Sequence, residues 1–105
     1  MIARLWTARA PQANAAPYAA HLRDAVLPAL KEIPGYHGAT LLERSAGNDV
    51  EIMVITWWES LDDIRAFAGD DPERAVVAGA AQALLERFDL HVRHFEVALQ
   101  DRASA

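Results

Sequence analysis

The sequence predicts a single α+β domain whose elements follow the order β-α-β-β-α-β. Residues 50–58 are apolar at nearly every position, which is typical of a strand covered on both faces. Residues 17–33 repeat apolar side chains at helical spacing, and residues 60–67 form a capped amphipathic helix. With right-handed crossovers, this order gives a ferredoxin-like antiparallel sheet that carries its helices on one face.

The composition supports one small domain spanning residues 1–105 and excludes several partners. Hydrophobic residues make up 52% of the chain, which is ample for a core. The net charge is -5 and the ten basic residues are scattered, so we expect neither nucleic acid nor a membrane as partner. There is no cysteine, hence no disulfide or thiolate site. The N-terminal segment carries charges and resembles no signal peptide, so we expect a cytoplasmic protein.

The first half of the chain predicts a strand followed by a long helix. Residues 2–9 read as the strand, with Trp6 adding β preference. After a connection over residues 11–17, an apolar stripe marks the helix, and Pro28 inside it predicts a kink or a short second helical piece. The pair at residues 34–35, Pro-Gly, ends the helix. The stripe consists of Tyr18, Leu22, Val26, Leu30 and Ile33.

The second half predicts a hairpin, a helical region and a last strand. Residues 37–46 and 50–58 are strands joined by a turn at residues 47–49. Ser60 caps the next helix and Gly69 ends it. Residues 71–72, Asp-Pro, then predict a new helical start, followed by a last strand over residues 91–100. The apolar positions of the two helical pieces are Leu61, Ile64 and Phe67, then Val76, Ala80, Leu84 and Phe88.

One face of the predicted sheet has no cover within the chain. Ile52, Val54, Thr56 and Trp58 point to one face of the strand, and Met53, Ile55 and Trp57 point to the other, but the helices can cover only one. Four strands of about six residues, spaced ~4.8 Å apart, have a footprint near ~400 Å² and roughly twice that accessible area. This approaches the ~800 Å² per partner of a standard interface. We therefore expect a homodimer with the two sheets face to face.

Three segments together give the chain a family likeness. They are TWWESLDDIRAF at residues 56–67, LPAL at 27–30 followed by PGYHG at 34–38, and VRHFEV at 92–97. In this order and spacing the sequence resembles the antibiotic biosynthesis monooxygenase domains of the dimeric α+β barrel superfamily, over essentially the whole chain. The resemblance implies a homodimer that binds a small hydrophobic or aromatic molecule between sheet and helices.

The resemblance leaves the chemistry open. The family includes cofactor-free oxygenases of aromatic polyketides, haem-degrading enzymes and members without known activity. The haem-degrading members use an Asn on the first strand, a Trp near the end of the third and a His on the later helix. Trp58 matches that Trp, but residues 2–9 contain no Asn and residues 70–88 no His. Since haem needs an axial ligand, we expect no haem and no other cofactor.

The resemblance nominates His94 as a catalytic base and Arg4 as the cation that stabilises a substrate anion. Trp6, Trp58 and Phe67 are the candidate substrate-binding residues. Three of these residues have a structural alternative: Trp58 as core, Trp6 as a cation–π partner of Arg4, and His94 as a hydrogen-bonded structural residue. No metal site is expected, because histidines three apart in a strand, such as residues 91 and 94, point to opposite faces.

Two functions fit these residues. One is a monooxygenase-like enzyme acting on a planar, electron-rich molecule, and the alternative is a non-catalytic dimeric domain for ligand binding or interaction. The alternative is favoured because few polar residues remain once those with a structural explanation, such as helix caps, are set aside. A cleft of ~300 Å³ or more with convergent polar groups favours the enzyme, whereas a filled core favours the alternative.

Overall fold

The computed structural model of the chain describes residues 1–103. The strands are β1 Ile2–Pro11, β2 Tyr36–Ala46, β3 Asp49–Trp58, β4 Arg87–Phe88 and β5 Arg93–Glu96. The helices are α1 Ala15–His21, α2 Leu27–Leu30, α3 Leu61–Ala68 and α4 Gly79–Gln82. A 3-10 turn at Gln12–Asn14 precedes α1, and a π-helical turn at Leu22–Val26 joins α1 to α2.

The strands form one antiparallel sheet in the order β2-β3-β1, with β4 and β5 both pairing the free side of β1. The register of the central pair runs from Ile2 opposite Trp58 to Pro11 opposite Asp49. This is the α+β, ferredoxin-like arrangement that the order of elements predicted, and the prediction is confirmed. The hairpin between β2 and β3 turns on two residues, and Gly47 supplies the positive φ of 64° at the first of them.

The first helical region is one continuous run that changes pitch in the middle. The backbone N–H of Leu27 donates to the carbonyl of Leu22, five residues earlier. Pro28 follows directly and has no N–H to continue an α-helical ladder, so the chain restarts as α2. The predicted second helical piece is therefore present. The region begins earlier than predicted, with the 3-10 turn within residues 11–17.

Helix α3 has the predicted cap and end. The hydroxyl of Ser60 accepts a hydrogen bond from the backbone N–H of Asp63 at 3.2 Å, and Gly69 ends the helix with φ 89°. Ile64 is fully buried and Phe67 is half-buried. The prediction that Leu61 is buried is wrong: it is 38% exposed, because its first-turn position lies outside the sheet contact made by Ile64.

The prediction of a helical segment through Val76, Ala80, Leu84 and Phe88, broken near Gly79, is wrong over most of its length. The region holds only the single turn α4, and Val76 is 50% exposed. The backbone just before this region pairs instead with the segment before β5: Ala75 N–H donates to the carbonyl of Leu90 at 2.9 Å, and Val92 N–H donates to the carbonyl of Glu73 at 2.7 Å. These long-range hydrogen bonds take the place of the i−4 bonds that a helix would require.

The last strand is shorter and less regular than predicted over residues 91–100. It consists of β4 and β5, separated by a bulge. On β1, Trp6 and Thr7 are the two residues between the pairing positions Leu5 and Ala8, whereas the opposing strand has the four residues 89–92 there. The two extra residues interrupt the ladder at this edge of the sheet.

The core lies entirely between the sheet and the helices, in two clusters. The first includes Tyr18, Leu22, Ile52 and Val54, and the second contains Leu30, Trp58 and Ile64. Along β3 the residues alternate strictly between buried and half-buried positions. The half-buried positions form the outer face of the sheet.

Candidate functional site

A small cleft opens between the inner face of the sheet, the first helical run and the segment that ends in α4. Its volume is about 80 Å³. Strands β1 and β3 contribute Arg4, Trp6 and Thr56, and the helical run contributes Tyr18 and His21. Most other walls are aliphatic or aromatic, including Phe67 and residues 76–78. This combination of apolar walls and a few polar groups suits a small, largely apolar molecule.

Arg4 is the charged group of the cleft and is only 5% exposed. Its guanidinium donates hydrogen bonds to the backbone carbonyls of Pro72 and, at 2.8 Å, of Arg74. It also lies 5.7 Å from the centre of the Phe67 ring, within cation–π range. Burial lowers the pKa of Arg4 to about 10, which leaves it charged at neutral pH. Arg4 therefore fastens residues 72–74, which directly precede the cleft-lining residues 76–78, to strand β1.

His94 lies beside Arg4, as the pairing of β5 with β1 requires. Its Nε2 is 3.1 Å from the Arg4 guanidinium, and since guanidinium has only donors, the imidazole nitrogen accepts. Burial first, and the positive charge of Arg4 second, lower the pKa of His94, against an opposing effect of Glu73. The two candidate catalytic residues are thus in contact. However, only Arg4 lines the cleft, and His94 contacts Arg4 without being part of the cleft wall. The catalytic role of each remains a prediction.

Two of the three candidate substrate-binding residues line the cleft, and the third supports them. Trp6 and Phe67 form walls. Trp58 is fully buried and stacks on Phe67 with ring centres 6.0 Å apart. Its Nε1–H donates to Thr56 at 2.8 Å, so its polar atom is satisfied inside the core. Of the two positions open to Trp58, core or pocket wall, the structure places it in the core.

The sequence reasoning missed the two aromatic groups that α1 contributes. Tyr18 has its ring centre 6.1 Å from that of Trp6 and 6.4 Å from that of His21. We call Trp6, Tyr18 and His21 the aromatic row. Burial raises the pKa of Tyr18 to about 12, so its phenol is neutral. The signal was present: residues 18 and 21 are three apart in a helix and therefore share a face.

Neither a membrane-crossing helix nor a metal cluster appears in the part of the chain that the structure describes. None of the helices within residues 1–103 has both the length and the apolar character to cross a bilayer. Over the same residues, no three His, Asp or Glu side chains lie close enough together to bind a metal ion.

Three solved structures share the fold over nearly the whole chain. A protein from Bacillus cereus assigned to the antibiotic biosynthesis monooxygenases superposes with a TM-score of 0.70 at 14% identity, covering 100% of this chain and 98% of the other. The haem degrader MhuD of Mycobacterium tuberculosis, with two haems in its active site, gives 0.61 at 23%, covering 97% and 100%. A monooxygenase from the gene ActVA-Orf6 of Streptomyces coelicolor, in complex with nanaomycin D, gives 0.62 at 17%, covering 99% and 91%.

Sequence comparison adds the family. An uncharacterised protein of Mycobacterium tuberculosis strain H37Rv is 35% identical over an alignment of 79 positions that covers 71% of this chain and 32% of that protein. The chain thus spans about a third of the length of the curated relatives it matches. The sequence profile of the antibiotic biosynthesis monooxygenases matches residues 1–79. Fold and sequence agree, and the chain belongs to the antibiotic biosynthesis monooxygenase family.

Proposed function

We propose that the cleft binds a small aromatic or hydrophobic molecule and that the protein is a cofactor-free monooxygenase. The observation that carries this proposal is a buried cation, Arg4, at one wall of a cleft whose other walls are mostly apolar and aromatic. An electron-rich planar molecule that ionises on binding fits such a site, because the low dielectric strengthens the attraction of its anion to the guanidinium. The nanaomycin D complex of a structural neighbour supports the same ligand class.

The reaction that these groups support begins with removal of a proton from an activated methylene. His94 takes the proton, since its lowered pKa keeps it neutral, and Arg4 stabilises the anion. The carbanion adds O2 to form a C–O bond and, after protonation, a hydroperoxide. Loss of the second methylene hydrogen and cleavage of the O–O bond release water and leave a carbonyl. One methylene and one O2 thus give one carbonyl and one water.

Ligand entry requires the segment over residues 69–78 to move. The cleft of about 80 Å³ is smaller than the ~150 Å³ cavity known to hold benzene. Residues 72–74 are held by Arg4 and by the bond from Val92 to Glu73, and residues 76–78 line the cleft. A substrate anion therefore competes with two backbone carbonyls for the same guanidinium. When Arg4 turns to the anion it also leaves the Nε2 of His94 free to accept the proton.

Haem fits these residues poorly. Of the three side chains that the haem-degrading members use, only the Trp has a counterpart here, Trp58, and it is fully buried. Residues 70–88 contain no histidine. We therefore route no step through haem.

The oxygenase proposal is tested by oxygen uptake with 1,8-dihydroxyanthrone, whose methylene is flanked by two phenol-bearing rings. We expect one O2 consumed per carbonyl formed, and a loss of turnover in His94→Ala and Arg4→Leu. An Ala80→Lys variant, changed at an exposed residue of α4, is the matched control and keeps the wild-type rate. Uptake no faster than in protein-free buffer would contradict the proposal, and full turnover in His94→Ala would remove His94 as the base.

The small cleft favours one alternative, a non-catalytic dimeric domain for ligand binding or interaction. Typical ligand pockets are ~300 Å³ or larger, and the described cleft is well below that volume. Under this alternative, the anthrone either binds without faster oxidation or does not bind. Isothermal titration calorimetry under nitrogen, followed by oxygen uptake on the same sample, separates the two functions.

We further propose that the protein is a homodimer formed through the outer face of the sheet. The centre of that face is apolar and only partly buried within one chain, with Leu42 and Phe95 nearly half exposed, whereas charged residues such as Arg9 and Glu51 lie toward one end. Ile55 lies near its centre, between Leu5 and Thr40. A patch of this kind, with several large apolar side chains next to one another at the surface, is unusual for a monomer. Its apolar members are Leu5, Leu42, Met53, Ile55, Trp57 and Phe95.

Sedimentation velocity tests the dimer. We expect the wild type to sediment as a dimer and Ile55→Lys as a monomer, because a lysine at the centre would be buried without a partner. Ala80→Lys introduces the same charge on the helix side and remains dimeric. A wild-type protein that is monomeric at tens of micromolar would contradict the proposal.

A further inference from the structure

One polar atom in the cleft has no role in the reaction described above. The Nε2 of His21 is buried, and no protein atom within residues 1–103 makes a hydrogen bond with it. His21 lies at the end of α1, on the wall of the cleft. A buried nitrogen that lacks a hydrogen-bond partner is costly, so native proteins rarely keep one without use.

The surroundings of His21 suggest what would bind there. The aromatic row of Trp6, Tyr18 and His21 presents three rings in succession along one side of the cleft. The aliphatic side chains of Leu22 and Val26 follow in the π-helical turn, a feature that is frequent at functional sites. The rings and aliphatic groups suit the faces of a planar aromatic molecule, and the imidazole supplies one directional polar contact.

We propose that His21 is the residue that selects a hydroxylated aromatic ligand, by a hydrogen bond between its Nε2 and the ligand's phenolic hydroxyl. This rests on the proposed function, since it requires that the cleft bind aromatic molecules. A phenol suits the imidazole because each group both donates and accepts, so the pair bonds in either tautomer. Arg4 and His21 then contact different parts of the ligand. Arg4 attracts the ionised part, and His21 binds a neutral hydroxyl beside the aromatic row.

The test compares two probes that differ by one hydroxyl, 2-naphthol and naphthalene, by NMR titration of the full chain. We measure the preference as the ratio of the 2-naphthol affinity to the naphthalene affinity, relative to the same ratio in His21→Phe, which keeps the ring and removes the nitrogen. We expect this preference to be about tenfold in the wild type, the effect of one buried hydrogen bond. His21→Gln retains a polar group and should keep part of it. Comparing ratios between variants cancels the different hydration of the two probes.

Two further measurements keep the test decisive. His37→Phe changes an exposed histidine bound to Glu59 and should leave the tenfold preference intact. The ¹⁵N resonance of His21 Nε2 in the wild type should shift with 2-naphthol and not with naphthalene, which requires no variant to fold. An affinity ratio in His21→Phe equal to that of the wild type, or an unshifted resonance at saturation, overturns the role of His21 while the proposed binding stands. If neither probe binds the wild type, the proposed function fails and the inference fails with it.

Discussion

The two faces of the sheet share a backbone but differ in what covers them. Trp57 and Trp58 are neighbours on β3, and their rings point to opposite sides. Trp58 is fully buried between Tyr36 and Phe67, at ring-centre distances of 5.4 and 6.0 Å. Trp57 remains half-buried on the outer face. The difference teaches that an apolar residue in this sheet stabilises the single chain only where a helix of the same chain lies over it.

Two arginines on β1 differ in burial and bonding in the same way as the two tryptophans. Arg4 and Arg9 lie on β1, with Arg4 on the inner face and Arg9 on the outer. Arg4 is almost completely buried and bonded to two carbonyls and His94. Arg9 is more exposed and pairs with Asp49 at 2.9 Å and with the carbonyl of Ala46 at 3.2 Å. Removing the inner arginine leaves two part-buried carbonyls without their charged donor, whereas water readily replaces the outer arginine.

The largest expected effect comes from the tryptophan pair. Trp58→Ala should lower the free energy of unfolding by about 3–5 kcal/mol, because a large aromatic ring leaves a cavity in a closed core. Trp57→Ala should change it by less than about 1 kcal/mol when both are compared as monomers. Urea denaturation in the Ile55→Lys background measures both. Equal losses in the two variants would show that the faces do not differ as described.

A smaller effect is expected for the arginine pair. Arg4→Leu should lower the free energy of unfolding by about 2 kcal/mol, since hydrogen bonds from a charged, buried donor to two part-buried carbonyls are lost. Arg9→Leu removes a partly exposed ion pair and should lower it by about 0.5 kcal/mol. Hydrogen exchange sharpens the comparison. The amides of Ala75 and Val92 should exchange faster than in the wild type in Arg4→Leu, and at the wild-type rate in Arg9→Leu. Unaltered exchange in Arg4→Leu would mean that Arg4 does not fasten the segment.

The smallest effect is a pH dependence of stability carried by His94. Its pKa in the folded protein is below the usual histidine value near ~6.5. As the pH falls from that value toward the folded pKa, the unfolded chain takes up a proton that the folded chain resists, so stability decreases. The melting temperature of the wild type should therefore fall more than that of His94→Gln between pH 7.5 and pH 5. Parallel curves would mean that burial and Arg4 do not disfavour the charged imidazole.

The same contrast separates what local patterns predicted from what they missed. The nearly continuous run of apolar residues over 50–58 predicted a strand with apolar side chains on both faces, and the cap at Ser60 predicted the start of α3. Both depend on interactions among residues close in sequence, so the chain alone determines them. The order of elements then sufficed for the fold, because strand order and crossover handedness leave few arrangements.

Residues 69–92 show where local patterns fail. Apolar spacing there is helical, yet the backbone of residues 73–75 bonds to residues 90–92, and Arg4 binds the carbonyls of residues 72 and 74. Those partners lie far away in sequence, and the free energy of pairing with them outweighs a weak helical preference. No periodicity within residues 69–92 indicates this long-range pairing.

The candidate site divides in the same way. The sequence placed Arg4 and Trp6 on the first strand and Phe67 on the helix after Ser60, and the resemblance nominated them for the cleft. The register of β5 on β1, which the sequence did not predict, brings His94 beside Arg4. Only the tertiary structure decided that Trp58 is core, that His21 has an unbonded nitrogen in the cleft, and that the cleft is nearly closed. The reason is physical: periodicity specifies the side to which a residue points, whereas its burial and hydrogen-bond partners depend on which distant segment lies over it.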